Sequence, residues 1–214
     1  MIDEPELASG FVEPELAAEF PELGLVYALA EASARRSPAA VHERLRDAAN
    51  RFTGAKAVSM RQQPIPHAYR VFFRHIGIDP DEQRTPIESI ALERMRAGGF
   101  PSRGLVEDAL LLGTLETGVP VQAFDAGAIE GRVGLRLARA GEELDGTRPL
   151  ASGQIVIADE ERPLAVLFGD AAERASVGRA TRQVLLIAIR VKGVPGVSVE
   201  EALWTAFETV STNG

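Results

Sequence analysis

Thr117-Gly118-Val119-Pro120-Val121-Gln122-Ala123-Phe124-Asp125 marks the point where the chain changes character. Upstream of it, apolar residues recur at helical spacing and the runs are closed by glycine. Downstream, short apolar stretches are split by turn residues. Helices gathered before strands, rather than alternating with them, indicate an α+β domain.

Working back from this junction, residues 104–117 read as a helix ended by Gly118. Thr85-Pro86-Ile87-Glu88 is a capping box with proline in the first turn, and opens a helix that should stop at Gly98-Gly99. Residues 67–74 place Tyr69, Phe72, Phe73 and Ile76 on one face, ended by Gly77. Ser37 before Pro38 is the expected start of a helix carrying Val41, Leu45, Ala48 and Phe52. The apolar run 24–30 suits a buried strand. Working forward, residues 121–124, 133–137, 155–158, 164–168 and 184–191 read as strands. A second capping box at Ser198-Val199-Glu200-Glu201 opens a closing helix with Leu203, Trp204, Phe207 and Val210 on its apolar face.

The 214 residues suffice for one well-buried core, and we expect a single domain over 1–214, preceded by an acidic segment at 1–20. Cysteine is absent, which rules out a disulfide framework, a thiolate metal site and a cysteine nucleophile. The acidic start lacks the apolar core of a secretory signal and no run reaches spanning length, so the sequence reads as cytoplasmic, with no membrane contact. The net charge of −8 argues against gripping nucleic acid over the whole surface, because phosphate contacts need clustered bases. Of the 31 acidic residues, Asp3, Glu4, Glu6, Glu13, Glu15, Glu19, Glu22 and Glu31 lie in the first 34 positions, which hold no base; the remainder balances the 23 bases. A local basic face between Arg35 and Arg103 is compatible with this balance, as are scattered solvated arginines.

There is no phosphate-binding glycine loop, metalloprotease helix, nucleophile elbow or dinucleotide fingerprint, and no cofactor is expected. His42, His67 and His75 lack further ligands at metal spacing, and Asp79-Pro80-Asp81-Glu82 lacks the alternation of a calcium loop. The aromatic face of Tyr69, Phe72 and Phe73 could stack bases, but its helical spacing favours core packing. From the residues alone, the reading ends at an α+β domain without an assigned activity.

The ordered series Gly118-Val119-Pro120-Val121-Gln122-Ala123-Phe124-Asp125, Ile129-Glu130-Gly131, Leu135-Arg136-Leu137-Ala138, Gly141-Glu142-Glu143, Val156-Ile157-Ala158-Asp159, Pro163-Leu164-Ala165-Val166 and Val184-Leu185-Leu186 resembles the B3/4 editing domain of the phenylalanyl-tRNA synthetase beta subunit. Ala68-Tyr69-Arg70 with Phe72-Phe73-Arg74, and Thr85-Pro86-Ile87-Glu88, are similar to free-standing B3/4 proteins. The likeness covers about residues 60–190.

This resemblance implies the B3/4 fold, with a twisted, partly closed, mainly antiparallel sheet packed by helices. It also implies recognition of the aminoacylated end of tRNA, with hydrolysis of mischarged tRNA in trans. The need for such a domain is physical: a phenylalanine pocket cannot reject every analogue that adds one hydroxyl, so a second site must sort products. By the resemblance, Glu173 falls on a conserved glutamate that reads the tyrosine hydroxyl, and a carboxylate is a strong acceptor for it. Gln122 stands where the family has histidine, and an amide cannot exchange protons near neutral pH. Leu110 and Leu111 replace a polar pair, while Leu167-Phe168 fill the place of two glycines lining the amino-acid pocket. The expected substrate-binding set is therefore Glu173, Gln122, Asp125, Arg136, Leu110 and Leu167, with no catalytic residue and no metal ligand assigned. For Asp125 and Arg136 the structural alternatives are a turn cap and a sheet-edge ion pair. The alternative function is a non-catalytic binding module for an amino acid or related small metabolite.

Overall fold

The computed structural model describes residues 4–212, so Asp3 of the acidic front end lies outside them. In chain order the elements are β1 (Ala8–Ser9), β2 (Phe11–Val12), α1 (Pro14–Glu19), β3 (Gly24–Glu31), α2 (Ala39–Arg51), α3 (Gly54–Ser59), α4 (Pro64–His75), α5 (Pro86–Ala97), α6 (Leu105–Thr117), β4 (Val121–Asp125), β5 (Gly134–Leu137), β6 (Glu143–Leu144), β7 (Arg148–Pro149), β8 (Ile155–Ala158), β9 (Pro163–Val166), β10 (Gln183–Arg190) and α7 (Gly196–Thr212).

The strands divide between two open four-stranded sheets and one small hairpin. The first sheet, ordered β1-β3-β10-β4, is antiparallel throughout. The second, β2-β5-β8-β9, is antiparallel except where β2 runs parallel to β5. The α+β class and the antiparallel-rich pairing hold, but neither sheet closes on itself.

The central strand β10 is buried continuously from Val184 to Ile189, which means that both faces of the first sheet are covered. On one face α6 and α7 pack together, with α2 behind α6. The approach of α6 to α7 is close at Gly113, where an added Cβ would lie 2.6 Å from the Ala202 carbonyl oxygen. The second sheet lies against β3 through β2 and β5. Tyr69, Phe72 and Phe73 of α4 are buried, and the Tyr69 hydroxyl donates to the Ile189 carbonyl at 2.7 Å. Burial pushes that phenol above its ordinary range. The aromatic face therefore packs into the core, as its spacing predicts.

The α4–α5 junction is pinned by a buried ion pair. Arg70 reaches Glu88 at 2.6 Å and Asp81 at 2.8 Å, and Glu88 also completes the Thr85 capping box. The hydrogen bond from Arg70 holds the Asp81 carboxyl below the usual carboxylate range.

Three local expectations are corrected. Ser37 does not cap α2, whose N-cap is Pro38; its hydroxyl is committed to Asp108 at 2.6 Å instead. The capping box at Ser198 falls inside α7, which starts at Gly196. The strand expected through Phe168 ends at Val166, because Phe168 turns into the left-handed region with φ 57°.

Candidate functional site

The site grows out of the same junction that reveals the fold. Gly118, at φ 80°, ends α6 in a left-handed cap that most residues avoid, and the chain reverses into β4. Thr114 rivets helix to strand: its hydroxyl donates to the Leu110 carbonyl at 2.9 Å and accepts from the Val121 N–H at 3.3 Å. Gln122, one residue on, is thus held beside Leu110 and Leu111.

Opposite them stands α5 with the loop that follows it, and that loop is anchored by one buried carboxylate. Asp108 accepts from the hydroxyls of Ser37 at 2.6 Å and Ser102 at 2.5 Å and from the Arg103 backbone N–H at 3.0 Å. His42 contacts the same Ser102 hydroxyl through Nε2 at 3.2 Å. With three donors converging on it, Asp108 serves as a structural acceptor for the loop.

Between these walls lies a cavity of about 410 Å³, within the range of small-molecule sites. Its apolar lining comes from Ile90, Phe100, Leu110, Leu111, Val121 and Phe168; its rim carries Arg84, Glu93, Arg103 and Glu107. Glu93 and Arg103 are paired with each other, while Glu107 is exposed. Gln122 lines this cavity, and its Oε1 atom is buried, out of reach of water, without a hydrogen-bond partner. Unpartnered buried acceptors are uncommon in folded proteins, because each forfeits the hydrogen bonds it made to water. Across the ladder from Gln122 stands Ile187 on β10, an apolar neighbour that cannot satisfy the amide.

The residues expected at the site do not all meet there. Gln122 and Leu110 line the cavity together. Leu167 is buried, 2% exposed, and lines a different hollow, near Phe20, Ile76 and Val166. Asp125 caps the turn after β4 by accepting from the Gly127 N–H at 3.0 Å, and takes the Thr181 hydroxyl at 2.6 Å. Arg136, 4% exposed, makes a two-pronged pair with Glu142 at 2.8 and 2.5 Å. That pair holds the Glu142 carboxyl below its usual range, through the Arg136 hydrogen bond foremost and against the opposing effect of burial. Both residues are thus engaged in the structural roles that the residue types suggested.

Glu173 opens a short 3₁₀ turn, Glu173–Ala175, and is exposed. Its backbone N–H donates to Asp145 at 2.7 Å, it is absent from the lining of the Gln122 cavity, and its carboxylate makes no hydrogen bond or ion pair among the described residues. The α5 wall and the Asp108 anchor escaped sequence reading; acidic residues in the first turn of α6, after Pro101-Ser102-Arg103-Gly104, were the only available signal. Among the described residues no three His, Asp or Glu side chains converge as metal ligands, and no helix is long and apolar enough to cross a membrane.

The α+β domain thus carries, at the β4 edge of its main sheet, a cavity with an apolar wall and charged groups around it. Residues 68–198, more than half of the chain, match the B3/4 domain, and the chain belongs to that family. It is similar to the phenylalanine–tRNA ligase beta subunits of Yersinia pestis (43% identical over 100 residues, 44% of this chain and 12% of that protein), Methylococcus capsulatus (41% over 98 residues, 44% and 12%) and Pseudoalteromonas translucida (39% over 116 residues, 51% and 14%). The matched part of the chain thus spans about an eighth of the length of these relatives.

Proposed function

We propose that this B3/4 domain binds an amino-acid-like group, free or carried on the end of a tRNA, in the cavity between α5, α6 and β4, and holds it without hydrolysing it. The observation that carries the reading is the cavity's apolar wall beside Gln122, whose amide oxygen is buried and unpartnered. A ligand that covers this apolar wall and draws the Gln122 amide round to meet a donor relieves the unmet hydrogen bond. Kinship with phenylalanine–tRNA ligase beta subunits makes an aminoacyl group the natural candidate for such a ligand.

Hydrolysis in trans, the other reading, has less support. An amide cannot act as general acid or base. Asp108 is saturated by its three donors, and Glu173 stands in solvent outside the cavity lining.

The test is thermal-shift screening with L-amino acids, their amides and their adenosine esters, run beside a deacylation assay on mischarged tRNAs. At least one compound should stabilise the wild type by about 2.7 kcal/mol at a hundredfold excess over its Kd. Gln122→Ala should lose that stabilisation, and Glu173→Ala should keep it. A flat profile for the wild type overturns the binding reading. Deacylation that disappears in Glu173→Ala restores the editing one.

A further inference from the structure

Phe168 is an unusual residue for its conformation. It stands at φ 57°, in a region that glycine enters freely and a bulky side chain enters only when its surroundings compel it. The turn is held on both sides: the Leu167 N–H donates to the Ile155 carbonyl at 3.0 Å, the Gly169 N–H to the Val166 carbonyl at 2.9 Å, and the Val166 N–H to the Asp170 carbonyl at 2.9 Å. What the strained backbone secures is the position of the ring. It stacks on Phe73 at 5.4 Å with 27° between planes, and meets Tyr69 and Phe72 edge-on at 5.7 and 6.3 Å. Three aromatic side chains of α4 thus form a recess suited to a phenyl ring, and a ring of the protein already sits in it, bordering the Gln122 cavity.

We propose that Phe168 is the specificity-determining residue of this site: its ring fills the aromatic recess from within, so that the cavity accepts an aliphatic aminoacyl group and rejects an aromatic one. The proposal rests on the binding reading above and adds the class of side chain to it. The apolar wall left for a ligand includes Leu110, Leu111, Pro120, Val121 and Phe100; aliphatic groups pack against such a surface without displacing anything. An aromatic side chain would have to lie outside the recess, where it forfeits the edge-on and stacked contacts that favour ring pairs.

The experiment measures binding of L-leucinamide and L-phenylalaninamide to the wild type, Phe168→Gly and Phe168→Asn by calorimetry, with near-UV circular dichroism as the check on folding. Glycine and asparagine both tolerate the left-handed backbone, so the ring is removed without forcing the turn. The wild type should favour leucinamide by at least about tenfold, the scale on which hydrophobic pockets separate similar side chains. The variants should reverse that order, and toluene should raise the melting temperature of Phe168→Gly but not of the wild type, by entering the emptied recess. Wild-type protein that takes phenylalaninamide as well as leucinamide overturns the proposal, whether or not the variants fold. So do folded variants that keep the wild-type order. Absence of binding by either probe to the wild type, with toluene rescue intact, instead removes the ligand reading on which this one stands.

Discussion

Gln122→Met should make the ligand-free protein more stable, against the usual direction for a change in a buried region. Methionine matches glutamine in length and flexibility but presents no acceptor that needs a partner. An unsatisfied buried polar atom costs about 1–3 kcal/mol. Gln122 as a whole is only half-buried, with Oε1 the atom cut off from water, so the gain should lie near the lower end, about 1 kcal/mol. For a chain of this length, that corresponds to roughly 2–4 °C in Tm. Urea unfolding of the ligand-free proteins, read as a shift in midpoint at constant m, isolates the effect. The same variant should lose the ligand-induced stabilisation seen with the wild type, since the acceptor is gone. Stability and function would then move in opposite directions, as they do where a site holds an unmet hydrogen bond for its ligand. If Gln122→Met is instead destabilised by more than about 0.5 kcal/mol, the amide is already satisfied, for instance by an ordered water, and the reasoning that makes it a docking point fails.

Two further outcomes follow from the framework around the site. Glu142→Gln should cost about 3–5 kcal/mol at neutral pH, because it leaves the buried guanidinium of Arg136 without its counter-charge. Because the folded protein keeps Glu142 ionised below the pH at which the unfolded chain protonates it, this pair's stabilisation is present above the ordinary carboxylate range and fades as pH falls through the depressed folded value. Wild-type stability should therefore drop more steeply than that of Glu142→Gln on acidification below about pH 5, and parallel curves in acid melts would contradict the assignment. Gly113→Ala should destabilise by about 1–3 kcal/mol in urea unfolding, despite the better helix propensity of alanine. Its Cβ would meet the Ala202 carbonyl at 2.6 Å, and only a shift of α6 and α7 apart can relieve that contact; a stabilised variant would show that the two helices pack less closely.

Class and element order were legible because they depend on local rules. The 3.6-residue spacing in α4 and α6, the Thr85 capping box and the glycines at Gly98 and Gly118 each act within a turn or two of chain. The ordered motifs around Gln122 and Arg136 likewise placed the chain in the B3/4 family without reference to its contacts. The short N-terminal strands β1 and β2 were not legible, since two-residue pairings exist only when β3 and β5 are already in place.

The membership of the cavity belongs to tertiary structure. Gln122 and Leu110 face one hollow because α6 reverses at Gly118 into a strand that Thr114 fastens back to it. Asp125 and Arg136, equally prominent in the motif series, are consumed by a turn cap and a buried ion pair. Glu173 is carried into solvent by a 3₁₀ turn, and the neighbours Leu167 and Phe168 part company across a left-handed residue. Spacing along the chain records which side chains are available; whether an oxygen is left without a donor depends on which distant segment folds over it, and no local pattern encodes that.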